Sequence, residues 1–275
     1  YGISNNTGKI NPLDAKQILR LAKKEKIDLI DTAISYGDSE NVIGETNILD
    51  FKFVSKLPKL PRNCDNVYSW VKDNILSSIK HLRIKSIYGF LFHQSKDLLG
   101  NEGNNLIDAI NQMKSEGFIK KVGLSIYDPS EIDLVMPLTK FDIIQAPVNI
   151  IDQRFKNSGW MIKLHQANIE IHSRSVFLQG LLLMSEKKRP SKFDRWSFLW
   201  KTWHEWLNDN KLTPLQASIR YAVSIPEITK VIVGVDTKEQ LEQIIIASKG
   251  LLPKIPSELN IDDVNLLNPY NWGKL

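Results

Sequence analysis

Four side chains capable of proton chemistry follow three consecutive apolar runs. The run at residues 28–33 leads through Asp31-Thr32-Ala33-Ile34-Ser35-Tyr36-Gly37, the run at 51–57 carries Phe53-Val54-Ser55-Lys56, and the run at 87–92 delivers Phe90-Leu91-Phe92-His93. If these runs are parallel strands, an acid, a phenol, an ammonium and an imidazole converge on one mouth. A phenol ordinarily titrates near pKa about 10, too high to exchange protons freely at neutrality. A neighbouring ammonium favours the phenolate, and a carboxylate keeps that ammonium charged and in place. An imidazole beside them donates to an oxygen and stabilises charge developing there. Such a set suits protonation of the alkoxide left when hydride reaches a carbonyl carbon. Alone, each residue reads as an ion-pair partner or a hydrogen-bonded rim histidine; together, in this order, they point to chemistry.

The elements that must position them are legible in the hydrophobic pattern. Strand-like runs lie at 28–33, 51–57, 87–92, 121–126, 141–148, 169–177 and 230–235. Between them, 13–26, 66–82, 106–117, 130–138, 213–224 and 237–249 space their apolar residues as helices do. Asn11-Pro12, Asp128-Pro129 and Thr213-Pro214 each offer a capping side chain followed by proline, and Gly117 and Gly250 stand where helices should stop. Strand and helix in alternation predict βαβ units and a parallel sheet. The expected class is α/β, a (β/α)8 TIM-type barrel over residues 1–275 as a single domain, with its first strand missing or upstream of Tyr1 because only seven runs are present. A doubly wound open sheet is the alternative, weakened by the absence of a Gly-x-Gly-x-x-Gly turn after a strand.

One insertion, at about 181–212, interrupts the alternation. Its Trp196, Trp200, Trp203 and Trp206 fall on one stripe of a helix. A stripe of this kind either packs on the barrel rim or lends part of itself, Trp196 or Trp200, to a substrate pocket.

The ordered set Asp31, Tyr36, Lys56 and His93 resembles that of the aldo-keto reductase family, and the likeness runs from Tyr1-Gly2-Ile3-Ser4-Asn5 to Asn268-Pro269-Tyr270-Asn271-Trp272. The resemblance implies a tetrad: Tyr36 as general acid/base, Asp31 and Lys56 tuning it, His93 orienting the carbonyl. It implies a nicotinamide site at Ser125 and Gln145, with Arg174 where many members place a stacking aromatic. A guanidinium can stack too, but brings charge. Residues Ser175, Phe177, Gln179 and Gly180 resemble the pyrophosphate loop. Gly234, Lys238, Gln240 and Gln243 resemble the adenosine end, where Lys238 at a helix start could meet a 2′-phosphate. Ile126 and Ile244 depart from the family's common asparagines, and Asp236 would oppose a phosphate. The resemblance therefore favours NADP(H) over NAD(H), with a small carbonyl compound, a sugar among the options, as substrate.

The bulk properties bound the alternatives. With net charge +5 and scattered lysines, Lys23-Lys24 reads as a solvated helix face, so no nucleic-acid partner is expected. One cysteine, Cys64, excludes an internal disulfide and a cysteine-based metal cluster; no metal is expected. No run is long enough to span a membrane and no signal peptide is visible, so a cytoplasmic protein is expected. A non-enzymatic nucleotide-binding regulatory subunit shares this fold. A glycoside hydrolase would need two strand-end carboxylates, and only Asp31 is well placed.

Overall fold

The computed structural model describes residues 8–48 and 50–275; the family-like Tyr1-Gly2-Ile3-Ser4-Asn5 lies outside them. The chain opens with α1 (Pro12–Lys24), whose N-cap Asn11 accepts from the Asp14 N–H while Pro12 occupies the first turn. Strand β1 (Leu29–Asp31) follows, then α2 (Ser39–Glu45), β2 (Lys52–Leu57), α3 (Val67–Leu82) and β3 (Ile87–Phe92). Next come α4 (Gly103–Ser115), β4 (Ile119–Ser125), α5 (Ser130–Val135), β5 (Ile143–Pro147), α6 (Arg154–Asn157), α7 (Trp160–Gln166) and β6 (Glu170–Arg174). The chain continues through α8 (Ser197–Asp209), α9 (Pro214–Val223), β7 (Lys230–Val231), α10 (Lys238–Ala247) and the short tail helix α11 (Val264–Leu267).

All seven strands pair in parallel, in chain order, forming one curled sheet of the (β/α)8 barrel type. Alternate residues of each strand face the barrel interior or the helices. Outward, Phe90, Phe92, Val122, Leu124, Ile144 and Ile171 are buried in the main core against the helices. Inward, Leu29, Val54, Leu91 and Ile143 form a separate cluster that reaches Ile232. Leu29 and Ile232 belong to the first and last strand regions, so the sheet curls far enough to bring its two ends over one interior layer. The Lys230 ammonium pairs with Asp28 from the opposite end of the sheet, and Leu21, Ala22 and Leu241 pack α1 against α10 over the same seam. The interior is tight. A Cβ on Gly123 would stand 2.7 Å from the Ile143 carbonyl oxygen and 2.9 Å from Leu91, so only glycine fits there.

Beneath the apolar layer, at the N-terminal ends of the strands, lies a polar floor. Glu170 accepts from the Tyr88 hydroxyl, the Lys121 ammonium and His172, which together hold its carboxyl down to about 2 against the opposing cost of burial. In barrels of this type the N-terminal face serves stability, and chemistry belongs at the other end.

Helix α8 carries Trp200, Trp203 and Trp206, all buried in the main core, with Trp196 half-buried at its start.

Candidate active site

The turn after β1 is built to lift Tyr36 over the C-terminal mouth. The Tyr36 N–H bonds back to the Ala33 carbonyl at 3.0 Å, Gly37 takes φ +61°, and the Thr32 hydroxyl reaches Ser39 at 3.0 Å at the start of α2. The result is a tyrosine 43% exposed at the barrel mouth. Directly below it, Lys56 is 1% exposed and its Nζ donates to Asp31 Oδ2 at 2.6 Å and to the Thr32 carbonyl at 2.8 Å. That Nζ lies 5.2 Å from the centroid of the Tyr36 ring, and the ring meets His93 edge-on with centroids 5.9 Å apart. All four residues of the expected tetrad are thus brought together.

The electrostatics follow from burial. Desolvation pushes the Lys56 ammonium below its ordinary value, Asp31 pulls it back, and Arg174 pushes it further down. His93 is pushed down to about 4, first by desolvation and then by the charges of Lys56 and Arg174, with Asp31 opposing. At neutral pH the imidazole is therefore uncharged and offers a single N–H donor.

The sign of the linkage is fixed. A histidine whose folded pKa lies below its unfolded value of about 6.5 binds fewer protons folded than unfolded between the two. Its contribution is fully present above pH about 6.5 and is lost as pH falls toward 4. We expect the urea midpoint of the wild type to drop more between pH 7 and 4.5 than that of His93→Gln. Parallel pH dependence in the two proteins would show that His93 is not held neutral.

A cavity of about 430 Å³ opens over this group, lined by Ser35, Tyr36, His93, Ser125, Tyr127, Gln145, Arg174, Gln179, Pro269 and Tyr270. Ser125 and Gln145 are buried at neighbouring register positions on β4 and β5. The Gln145 amide donates to Asp31 Oδ1 at 2.7 Å, which fixes the side chain and leaves its carbonyl oxygen available as an acceptor. Arg174 ends β6 with its guanidinium carbon 4.2 Å from the Tyr127 ring centroid, and Tyr127 packs edge-on against Tyr270 of the tail, centroids 5.2 Å apart. Tyr127 is held by its backbone: its N–H donates to Glu131 at 2.8 Å and its carbonyl accepts from Arg154. The tail is anchored by Trp272, which is buried against Phe193, and by Lys192, whose ammonium donates to the Trp272 carbonyl at 2.7 Å.

Beyond Arg174 the chain enters a strained loop. Ser175, Leu178, Gln179 and Gly180 have φ of +58°, +45°, +54° and +89°. A buried leucine in the left-handed region is unfavourable, and the surrounding structure must impose it; such strain concentrates at ligand-gripping sites. The Asn149 amide holds the Ser175 carbonyl at 3.1 Å, while Phe177 packs half-buried with Val176 on α9 and α10.

The remaining expected residues lie along the edge that continues from β7. Gly234 is exposed just after it, and Lys238 opens α10 with Nζ 3.2 Å from Glu242. Gln240 turns its side chain back to the Asp236 N–H at 2.7 Å, and Gln243 is exposed on the same helix. Ile244 belongs to the core. The tryptophans are placed elsewhere. Trp200 is buried with its indole N–H on the Phe193 carbonyl, Trp196 donates to Asp263, and neither lines the cavity at Tyr36. The aromatic wall there is Tyr127 with Tyr270. Tyr127 follows the 121–126 run and Tyr270 lies in the Asn268–Trp272 segment, and neither carries a periodic signal.

Similarity to known proteins falls in one place. A family model described as the aldo/keto reductase family matches residues 1–255. An uncharacterized oxidoreductase of Bacillus subtilis is 24% identical over 256 residues, covering 86% of this chain and 82% of its own. The NADH-specific methylglyoxal reductase of Escherichia coli is 27% identical over 188 residues, covering 57% and 54%. In fold, the holo form of an aldo-keto reductase from Bacillus halodurans superposes with a TM-score of 0.73 at 17% identity, covering 90% of this chain and 85% of that one.

Proposed function

This chain belongs to the aldo/keto reductase family, and from that premise we propose that it is an NAD(P)H-dependent oxidoreductase that reduces an aldehyde or ketone to an alcohol, with Tyr36 as general acid. The observation that carries this reading is the buried Lys56–Asp31 pair under the Tyr36 ring, with His93 beside it, facing a cavity at the C-terminal ends of the strands.

In this reading His93 donates its N–H to the carbonyl oxygen and fixes its orientation. Tyr36 gives its proton to that oxygen as negative charge develops, and Lys56 offsets the phenolate left behind. Asp31 keeps Lys56 charged despite its burial and is itself steadied by Gln145. The residues present fit a nicotinamide dinucleotide: Ser125 and the Gln145 carbonyl for its amide, the Arg174 face for its ring, the loop from Ser175 through Phe177 and Gln179 to Gly180 for its pyrophosphate, and Gly234, Lys238, Gln240 and Gln243 for its adenosine. Such a dinucleotide supplies the hydride. The lone Cys64 suits the reducing, cytoplasmic setting in which we place this activity.

We assign the preference to NADP(H) through Lys238. Its pairing with Glu242 is a half-exposed i,i+4 contact, worth only about 0.2–0.5 kcal/mol and readily exchanged for a phosphate. NADPH should bind more tightly than NADH, and Lys238→Ala should remove about 1–3 kcal/mol of that difference, the worth of a charge-assisted hydrogen bond. Fluorescence titration with both dinucleotides reads this. Equal affinities in the unmutated protein would assign the chain to the NADH-using side, where the Escherichia coli relative stands by name. The same titration, run beside dinucleotide oxidation on a broad aldehyde panel, tests the activity itself: tight binding with no turnover would make the protein a nucleotide-binding regulator.

A further inference from the structure

The cavity holds the Arg174 guanidinium. No acidic residue lines it among the described residues, and Asp31 spends its charge on Lys56. Arg174 remains. Nη2 donates to the Ile126 carbonyl at 2.8 Å, Nη1 to the Ser175 hydroxyl at 3.2 Å, and one face of the guanidinium rests on Tyr127. These contacts fix the group without neutralising it. Nε is buried with no hydrogen-bond partner, and each terminal nitrogen keeps an N–H to spare out of the five that a guanidinium carries. An unsatisfied buried donor on a half-buried cation is costly.

Resting on the carbonyl-reductase reading, we propose that this site takes carbonyl compounds bearing a carboxylate, and that Arg174 is the residue that reads the anion. The guanidinium is planar and matches a carboxylate edge. It is immobilised beforehand by the Ile126 carbonyl, the Ser175 hydroxyl and the Tyr127 face, so little ordering is needed when the ligand arrives. Tyr127 and Tyr270 supply an aromatic wall next to it, which suits a flat substrate body between the anion and the carbonyl presented to Tyr36 and His93.

The dinucleotide's own phosphates are a second source of negative charge, so the experiment separates the two. Steady-state kcat/KM is measured for 4-carboxybenzaldehyde against the nearly isosteric, neutral 4-formylbenzamide, with wild type, Arg174→Gln and Arg174→Lys, and dinucleotide affinity is titrated for each. The acid is expected to be favoured about tenfold or more in the wild type, the effect of one charge-assisted contact. Arg174→Gln should bring the ratio close to one, and Arg174→Lys should keep part of it. A wild-type ratio near one overturns the inference and leaves the reductase reading standing. A ratio that survives in Arg174→Gln while dinucleotide affinity falls also overturns it, because the counterion is then the dinucleotide. If neither aldehyde turns over, the reductase reading is what fails. The inference is then judged on equilibrium binding of 4-(hydroxymethyl)benzoate against its amide: tighter binding of the acid that disappears in Arg174→Gln upholds it, and equal binding overturns it.

Discussion

Turnover of Tyr36→Phe is expected to fall at least about 100-fold, the lower end of what a positioned general acid contributes. The substitution keeps the ring, and with it the edge-on contact to His93 and the face presented to the Lys56 ammonium. It removes only the hydroxyl, so the fold and dinucleotide affinity should hardly change. Neither of the titratable groups beside Tyr36 is equipped to substitute. His93, pushed down to about 4, is neutral at working pH and a poor proton source. Lys56 is buried and committed to Asp31 and the Thr32 carbonyl. The measurement is dinucleotide oxidation with any accepted aldehyde, alongside cofactor titration of both proteins. A variant that keeps more than about a tenth of normal turnover would show that the proton comes from elsewhere, since general acid catalysis is worth far more than that. The cluster would then be an ion-pair assembly that holds the strand ends together.

What the sequence revealed and what it hid divide along physical lines. Six of the seven strands were placed within about three residues at each end, because a strand buried on both faces must be a short, nearly continuous apolar run. The seventh run, 230–235, pairs only over Lys230–Val231, and its Val231, Val233 and Val235 all pack on the cluster of α9 and α10. Helix α2 escaped notice. Its Gly44 disfavours helix, yet it is there because a Cβ would collide with the His81 carbonyl at 2.1 Å where α2 meets α3. Helices α6 and α7 are too short for a helical period to show. In the site, residues at strand ends were legible because the barrel fixes where strand ends meet. Tyr127 and Tyr270 were not, because their positions depend on a loop pinned by Glu131 and Arg154 and on a tail anchored by Trp272. The Trp stripe was rightly read as helical. Trp200 and Trp206 are buried with their indole N–H groups on the Phe193 and Lys254 carbonyls, whereas the Trp203 indole N–H is buried with no hydrogen-bond partner.

The second large effect separates what Lys56 does for the fold from what it does for Tyr36. Asp31 and Lys56 have side chains 9% and 1% exposed, so removing one partner strands the other in a poorly hydrated site. Lys56→Met should therefore cost about 3–5 kcal/mol of stability, the usual consequence of leaving a buried charge unpaired. Replacing both charges is different. In the double variant Asp31→Asn, Lys56→Met no ion is left to desolvate, and the new amide carbonyl can still accept from Gln145 as the carboxylate does now. At least about half of the lost stability should return, in keeping with the near-neutral effect of replacing whole buried ion pairs. Turnover should not return with it, because the ammonium beneath the ring that favours the Tyr36 phenolate is gone. Urea midpoints and steady-state rates on the wild type, the single and the double variant read the two effects independently. If the double variant recovered turnover together with stability, the ammonium beneath Tyr36 would be a structural partner of Asp31 and no part of the proton machinery. If Lys56→Met were as stable as the wild type, the pair would not be the buried, mutually dependent unit that its geometry describes.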